Sequence, residues 1–305
     1  MARVTGAYAT TARDVLAVEE PLEIRLHVEH DGRLVRRAVS VTMRTPGDDA
    51  ELAAGFLFTE GIVRSRGAIA DIRHCGPANA AGAGNTIRVE LAPDTPVDFA
   101  RLERHTYTTS SCGVCGKTSI EALEATSCFA LPLAVPIVDA VLVHRLPALL
   151  REAQRVFDRT GGLHASALFD LDGRLTVLRE DVGRHNALDK VVGARLLADA
   201  LPAHDAILLV SGRASFELVQ KAIMAGVPLL AAVGAPSSLA VSLAEECGLT
   251  LLGFVRDGRF NVYAEERRIH STHYVHEQNH FHALQSDGDD SAHGHDASTC
   301  SSAGS

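Results

Sequence analysis

The stretch from Ala206 to Ala264 leaves this chain the least freedom. Ala206–Val210, Pro228–Val233 and Leu249–Val255 are apolar at nearly every position and too short for helices. Between them lie Ser215–Ala225 and Ser237–Cys247, which carry apolar residues at helical spacing. A strand that is apolar on both faces must be covered on both faces, and parallel strands joined by helical crossovers achieve this. The alternation therefore implies an α/β fold with a layered sheet. Ser237 is placed to cap the second helix.

The neighbouring pattern extends this core. Leu163–Asp170 and Leu175–Arg179 read as strands joined at Asp172-Gly173, Asn186–Leu201 as a helix, and Arg259–Ala264 as a last short strand. Apolar spacing over Asp139–Phe157 predicts one helix, stopped by Gly161-Gly162. The first half reads as a smaller α+β unit. Leu22–Val28 alternates, and Arg33–Met43 follows the turn Asp31-Gly32, so the two predict a hairpin. Asp48 or Asp49 then caps a helix over Glu51–Phe58, and residues 69–75 and 86–91 predict two more strands. The expected organisation is a loose lead-in over 1–20, an N-terminal α+β part over 21–135, an α/β core over 136–266 and a disordered His-rich tail over 267–305. That tail holds His270, His273, His276, His280, His282, His293 and His295, a composition that either binds metal or is simply a hydrophilic extension.

Composition excludes some classes of function. A net charge of −9 argues against general nucleic-acid binding. No apolar run is long enough to span a membrane, and the N-terminal residues have no continuous apolar segment of the signal-peptide kind. Six cysteines over 305 residues do not make a disulfide scaffold, which points to a reducing cytoplasm.

Chemistry concentrates first in Thr109–Ser119, TSSCGVCGKTS. Cys112 and Cys115 have C-x-x-C spacing, each is followed by glycine, and Lys117 lies beside them. Thr118–Ala125 reads as a helix. A lysine and a helix N-terminus both favour the thiolate, the form that attacks sulfur or binds metal. Three readings stay open on the residues alone: half of a zinc site, a redox dithiol, and a persulfide-forming sulfur carrier. No second C-x-x-C is present to complete a four-cysteine zinc set.

A second concentration lies in the loops after strands, where α/β folds bind ligands. These are GGLHA at Gly161–Ala165, EDVGRHN at Glu180–Asn186, SGRASFE at Ser211–Glu217, GAPSS at Gly234–Ser238 and FVRDGR at Phe254–Arg259. Small residues permit close backbone approach, and Arg184, Arg213, Arg256 and Arg259 suit phosphate. A phosphorylated or nucleotide-bearing ligand is expected, although no P-loop or dinucleotide fingerprint occurs. Asp181 with His185 reads either as an acid/base pair or as local helix capping. Arg213 with Glu217 reads as a possible ion pair, and His164 as either packed or functional. His164-Ala165-Ser166 resembles the H-x-E of zinc deaminases, but serine replaces the glutamate that deamination requires.

Taken in order, RTPGDDAELAAGFLFTEGIV, SSCGVCGK, GGLHASALF, REDVGRHNALDKVVG, LLVSGRASFELVQKAIMAGVP, AAVGAPSSLAVSLAEECGLTLLGF and FVRDGRFNVYA resemble one family over about residues 20–265. It is the formate dehydrogenase accessory sulfurtransferases, the FdhD proteins. The resemblance implies a sulfur carrier that takes sulfur from a cysteine desulfurase and passes it to the molybdenum (or tungsten) bis(molybdopterin guanine dinucleotide) cofactor, required for formate dehydrogenase activity. It implies persulfide formation on Cys112, with Cys115 as its partner. It assigns Phe254, Val255, Arg256, Asp257, Gly258 and Arg259 to cofactor binding. It also implies a cytidine-deaminase-like α/β core and a homodimer. The alternative is a non-catalytic chaperone for the same cofactor.

Overall fold

The structure, a computed structural model, describes residues 1–30, 32–75, 84–98 and 129–271. Its first element lies within the expected lead-in. β1 (Ala2–Thr5) and β2 (Tyr8–Thr11) pair antiparallel, with every residue exposed. Nothing in this hairpin is buried, so no apolar alternation marks it in the sequence.

The alternation at Leu22–Val28 becomes β3 (Glu20–His30), which pairs antiparallel with β4 (Arg33–Arg44). Leu22, Ile24, Leu26 and Val28 all point into the core and are at most 3% exposed. After α1 (Asp49–Thr59) come β5 (Ile69–His74) and β6 (Thr86–Leu91). The four strands form one sheet in the order β4-β3-β6-β5, with β6 parallel to β3. Arg44 closes the hairpin onto the start of α1. Its guanidinium, 2% exposed, donates Nε to Asp49 Oδ1 and Nη2 to Asp49 Oδ2, both at 3.0 Å.

The second half follows β7 (Val138–Asp139). The helix expected over Asp139–Phe157 is instead two, α2 (Ala140–Ala153) and α3 (Arg155–Thr160). The break at Gln154 has a distant cause. Glu180 accepts the Val156 and Phe157 amides at 3.0 and 2.8 Å, so a carboxylate far along the chain caps a second helix start. Next come β8 (His164–Phe169), β9 (Leu175–Asp181), α4 (Arg184–Leu197), β10 (Ile207–Val210), α5 (Phe216–Met224), β11 (Leu229–Ala232), α6 (Ser238–Glu246), β12 (Thr250–Arg256), β13 (Arg259–Ala264) and the short β14 (Ile269–His270). Ser237 caps α6 as expected, accepting the Ala240 amide at 3.2 Å.

β9-β8-β10-β11-β12-β13 form the main sheet, with β10, β11 and β12 parallel and the others antiparallel to their neighbours. The fold is thus α/β, with α5 and α6 as the crossovers. Both faces are covered. Ile207 and Leu209 of β10 pack with Val143, Leu146 and Leu150 of α2, while Leu208 and Val210 join the opposite core. That opposite core is continuous with the interior of the four-stranded sheet: Leu22, Leu52, Leu188 and Leu230 belong to one apolar cluster.

The junction between the halves is α1 crossing α4. A Cβ on Gly55 would lie 1.8 Å from the Asp189 carbonyl oxygen, and one on Gly193 would lie 1.8 Å from that of Glu51. The two helices touch backbone to backbone. Beside this crossing, Lys221 of α5 reaches Asp189 at 2.9 Å, Thr59 Oγ1 at 2.8 Å and Glu60 at 3.2 Å. At the end of the fold, buried Arg268 donates to the carbonyls of Pro132, Val135 and Gly248 and to Thr250 Oγ1.

Candidate functional site

Because β10, β11 and β12 run parallel, their carboxyl ends share one edge of the sheet. The antiparallel partners bring the start of β8 and the end of β9 to the same edge, where His164 pairs with Asp181. All five of the loops singled out in the sequence therefore meet there. The three that follow β10, β11 and β12 are laced in series by backbone hydrogen bonds. Gly234 N–H donates to Gly212 O at 2.9 Å, Ser237 N–H to Ala214 O at 3.0 Å, and Phe254 N–H to Gly234 O at 3.0 Å. A Cβ on Gly234 would be tight, 3.0 Å from Gly212 O and from Arg213 Cγ.

Phe254–Arg259 forms the β12–β13 turn at the end of this series. Phe254 and Asp257 both adopt the left-handed region at φ 54°, and Gly258 completes the reversal at φ 70°. Val255 is buried beneath, while Arg256, Asp257, Gly258 and Arg259 are exposed. The Arg256 guanidinium lies 5.7 Å from the centre of the Phe254 ring. The turn thus presents two arginines and one ring at this edge of the sheet.

Two helices begin at this edge. Gly183 precedes α4 without a capping side chain, and the Ser215 hydroxyl does not cap α5 but faces His185 Nε2 at 3.4 Å. Their first amides remain open to an anion, and the helix dipoles favour one. Arg184 Nε is buried with no hydrogen-bond partner. An oxyanion at this edge would supply what these groups lack.

Burial, with Arg184 nearby, lowers the His164 pKa against a smaller pull from Asp181. His185 is pushed down to about 4 by burial, then by Lys221 and Arg184, against Glu217 and Glu60. Both imidazoles are accordingly neutral near pH 7. His185 Nε2 faces both Ser215 Oγ and, at 3.8 Å, Glu217 Oε2. One nitrogen serves both neighbours, so the group lacks the two-sided arrangement of a catalytic triad.

Two of the sequence alternatives are decided by contacts. Asp181 is fully buried and accepts from Thr45 N at 3.1 Å, Gly183 N at 2.9 Å and Asn186 Nδ2 at 3.1 Å, with Lys190 Nζ at 2.8 Å. It ties the hairpin of the first half to α4, and forms no pair with His185. Arg213 and Glu217 make no ion pair; Glu217 faces His185 instead. Cys112, Cys115 and the helix expected over Thr118–Ala125 lie outside the described residues, as does most of the His-rich tail. The chain leaves the described part at Asp98 and resumes at Phe129, whose ring is 6.3 Å from that of Phe58. Among the described residues no helix is long and apolar enough to cross a membrane, and no cluster of three or more histidine, cysteine or acidic side chains is set to hold a metal.

The model of the FdhD/NarQ family matches residues 17–270. The chain belongs to that family. Among its FdhD/NarQ relatives, a Streptomyces avermitilis protein named sulfur carrier protein FdhD is 51% identical over 270 residues, covering 88% of this chain and 93% of that one. A Mycolicibacterium paratuberculosis protein of the same name is 52% identical over 269 residues, covering 87% and 96%. A crystal structure from Desulfotalea psychrophila, described as a formate dehydrogenase accessory protein, superposes with a TM-score of 0.66 at 26% identity, covering 88% and 96%. The match begins inside the expected lead-in and ends within the first residues of the expected tail, so the four- and six-stranded sheets and the laced loops lie within the FdhD/NarQ region.

One polar residue at the edge has no signal in the sequence. Gln154 sits inside an apparent helical repeat, where glutamine reads as a solvent-facing residue. The break imposed by Glu180 buries it instead.

Proposed function

We propose that this protein carries sulfur for the maturation of formate dehydrogenase. It takes sulfur from a cysteine desulfurase as a persulfide on Cys112 and passes it to the molybdenum bis(molybdopterin guanine dinucleotide) cofactor, its cargo. The observation that carries this reading is membership of the FdhD/NarQ family across residues 17–270, a region that includes the C-x-x-C pair. The open amides of α4 and α5, with Arg184, Arg213, Arg256 and Arg259 around them, support a large phosphorylated cargo.

The chemistry balances as follows. The Cys112 thiolate attacks the outer sulfur of the desulfurase persulfide. That sulfur–sulfur bond breaks, and the desulfurase cysteine leaves as a thiolate, with no net oxidation. The Cys115 thiolate then attacks Cys112 Sγ. With one proton, hydrosulfide leaves and a Cys112–Cys115 disulfide forms, the thiol pair having supplied the two electrons. A dithiol reductant resets the pair. Holding the cargo by its nucleotide ends makes sulfide capture a local step rather than a chance encounter.

The test is intact mass after incubation with a cysteine desulfurase and cysteine. Wild type gains sulfur atoms, and Cys112→Ala gains none. Cys115→Ala gains sulfur but does not release it as sulfide. A wild type that gains no sulfur overturns the carrier reading and leaves the cofactor chaperone, which tolerates loss of both thiols. The proposal includes a homodimer in the cytoplasm; light scattering that gives the mass of one chain would remove the homodimer.

A further inference from the structure

The order β4-β3-β6-β5 leaves β4 with a neighbouring strand on one side only. It is 12 residues long and pairs with β3 from Arg33 to Arg44. Near its end the other side is occupied. Thr42 Oγ1 donates to Asn186 Oδ1 at 3.1 Å, and Asn186 Nδ2 donates to Met43 O at 2.8 Å. Over residues 33–41, β3 is the only source of hydrogen bonds among the described residues. Arg33, Leu34, Arg36, Arg37, Ala38 and Val41 are exposed there. A free edge of this kind offers unused backbone donors and acceptors to another strand.

The register fixes which side chains face away from the core. Leu22, Ile24, Leu26 and Val28 of β3 are buried, so Pro21, Glu23, His27 and Glu29 face outward. The β4 residues opposite them, Met43, Val41, Arg36 and Leu34, share that face. Met43, Val41 and Leu34 are 48%, 62% and 55% exposed. Charged residues alone commonly blunt a free edge. Here arginine is interleaved with large apolar side chains, so an added strand would find surface to pack on as well as charge to pair with.

The charge on this edge is one-sided. Arg33, Arg36 and Arg37 make no ion pair among the described residues. Glu23 is engaged by Arg25 at 2.7 Å and Glu90 by Arg88 at 3.3 Å, while Glu29, opposite Leu34, pairs with none of the three. The His27 pKa is lowered, first by burial and then by Arg36, with Glu90 pulling the other way. In a chain of net charge −9, three uncompensated arginines on one free edge favour an acidic partner. A second copy fits poorly. Antiparallel pairing of β4 with β4 across a twofold axis would set Arg33, Arg36 and Arg37 of one protomer against the same residues of its partner, and like charges across a strand pair are destabilising.

We propose that the free edge of β4 takes an acidic, extended segment of a partner protein as a fifth strand, its backbone bonding to residues 33–41, its carboxylates meeting Arg36 and Arg37, and its apolar residues packing on Leu34 and Val41. This edge belongs to the four-stranded sheet and uses none of the loops of the main sheet.

Fluorescence anisotropy of the full chain with two dye-labelled peptides tests this. One alternates glutamate and valine; the other, of the same length, alternates lysine and valine. Wild type binds the glutamate peptide at least about tenfold more tightly, and added salt narrows that margin. Amide hydrogen exchange slows over residues 33–41 on binding and is unchanged over β5, the opposite edge of the same sheet. Arg36→Gln with Arg37→Gln loses the margin. Arg36→Lys with Arg37→Lys keeps it, which separates charge from damage to the strand. Equal binding of the two peptides overturns the assignment, as does no binding, protection elsewhere than β4, or a margin that survives in the glutamine variant. A chain that doubles its mass and protects β4 without peptide gives the edge to a second copy, and overturns it as well.

Discussion

His185 shows how one side chain links packing to pH. The unfolded chain takes up a proton there near the ordinary value of 6.5, whereas the folded protein resists until about 4. A folded value below the unfolded one means that the contribution to stability is complete above about pH 6.5 and drains away as pH falls towards 4. His164 acts in the same direction. His185→Gln is therefore expected to flatten the fall in melting temperature between those pH values, measured by circular dichroism across a pH series. An unchanged slope would mean that the residue titrates alike in both states. At Gly55 the constraint is steric. Any Cβ would sit 1.8 Å from the Asp189 carbonyl oxygen, a backbone atom that cannot swing aside. Gly55→Ala should cost more than about 3 kcal/mol, at or beyond the upper end for overpacking, when measured by urea denaturation. The sequence shows that glycine only as a mild blemish in a helix, since a close crossing depends on the partner helix and not on local spacing.

At the scale of elements, legibility follows the range of the forces. Parallel strands β10, β11 and β12 were plain because burial on both faces demands uninterrupted apolar residues. Ser237 could be read because a cap acts over three residues. The split of α2 from α3 could not be read, since Glu180 acts from the end of β9, and neither could the role of Asp181, whose partners Thr45 and Lys190 come from different elements. The glycine- and arginine-bearing loops are legible in the sequence one by one, but the lacing of Gly212, Gly234 and Phe254 appears only in three dimensions. Glu180→Ala tests that cap: removing both amide contacts should cost about 1 kcal/mol, the worth of a helix cap, when measured by urea denaturation, and unchanged stability would show that Glu180 does not hold the break.

For the molecule as a whole, the continuous core matters more than the visible division into two sheets. The larger apolar cluster draws from β3, α1, α4, α5 and β11 alike, and α1 presses backbone against α4. Polar ties run the same way: Lys221 of α5 holds Asp189 of α4 and Thr59 at the end of α1, deep inside the protein. Neither sheet can shed the other without exposing apolar surface and stranding buried charge. The two parts distinguished by sequence are accordingly expected to unfold together, in one transition that coincides by fluorescence-independent probes such as far-ultraviolet circular dichroism and hydrogen exchange. Lys221→Met should lower stability by about 3–5 kcal/mol, because it leaves Asp189 buried without its cation. It should do so without splitting that single transition. Two separated transitions in the wild type would show that the α1–α4 crossing is a docking contact between independent units. A split appearing only in Lys221→Met would show instead that the buried ion pair couples them. A single transition in both places the coupling in the shared apolar core, and makes the α+β part the wall against which the loop-bearing edge of the main sheet is held in shape.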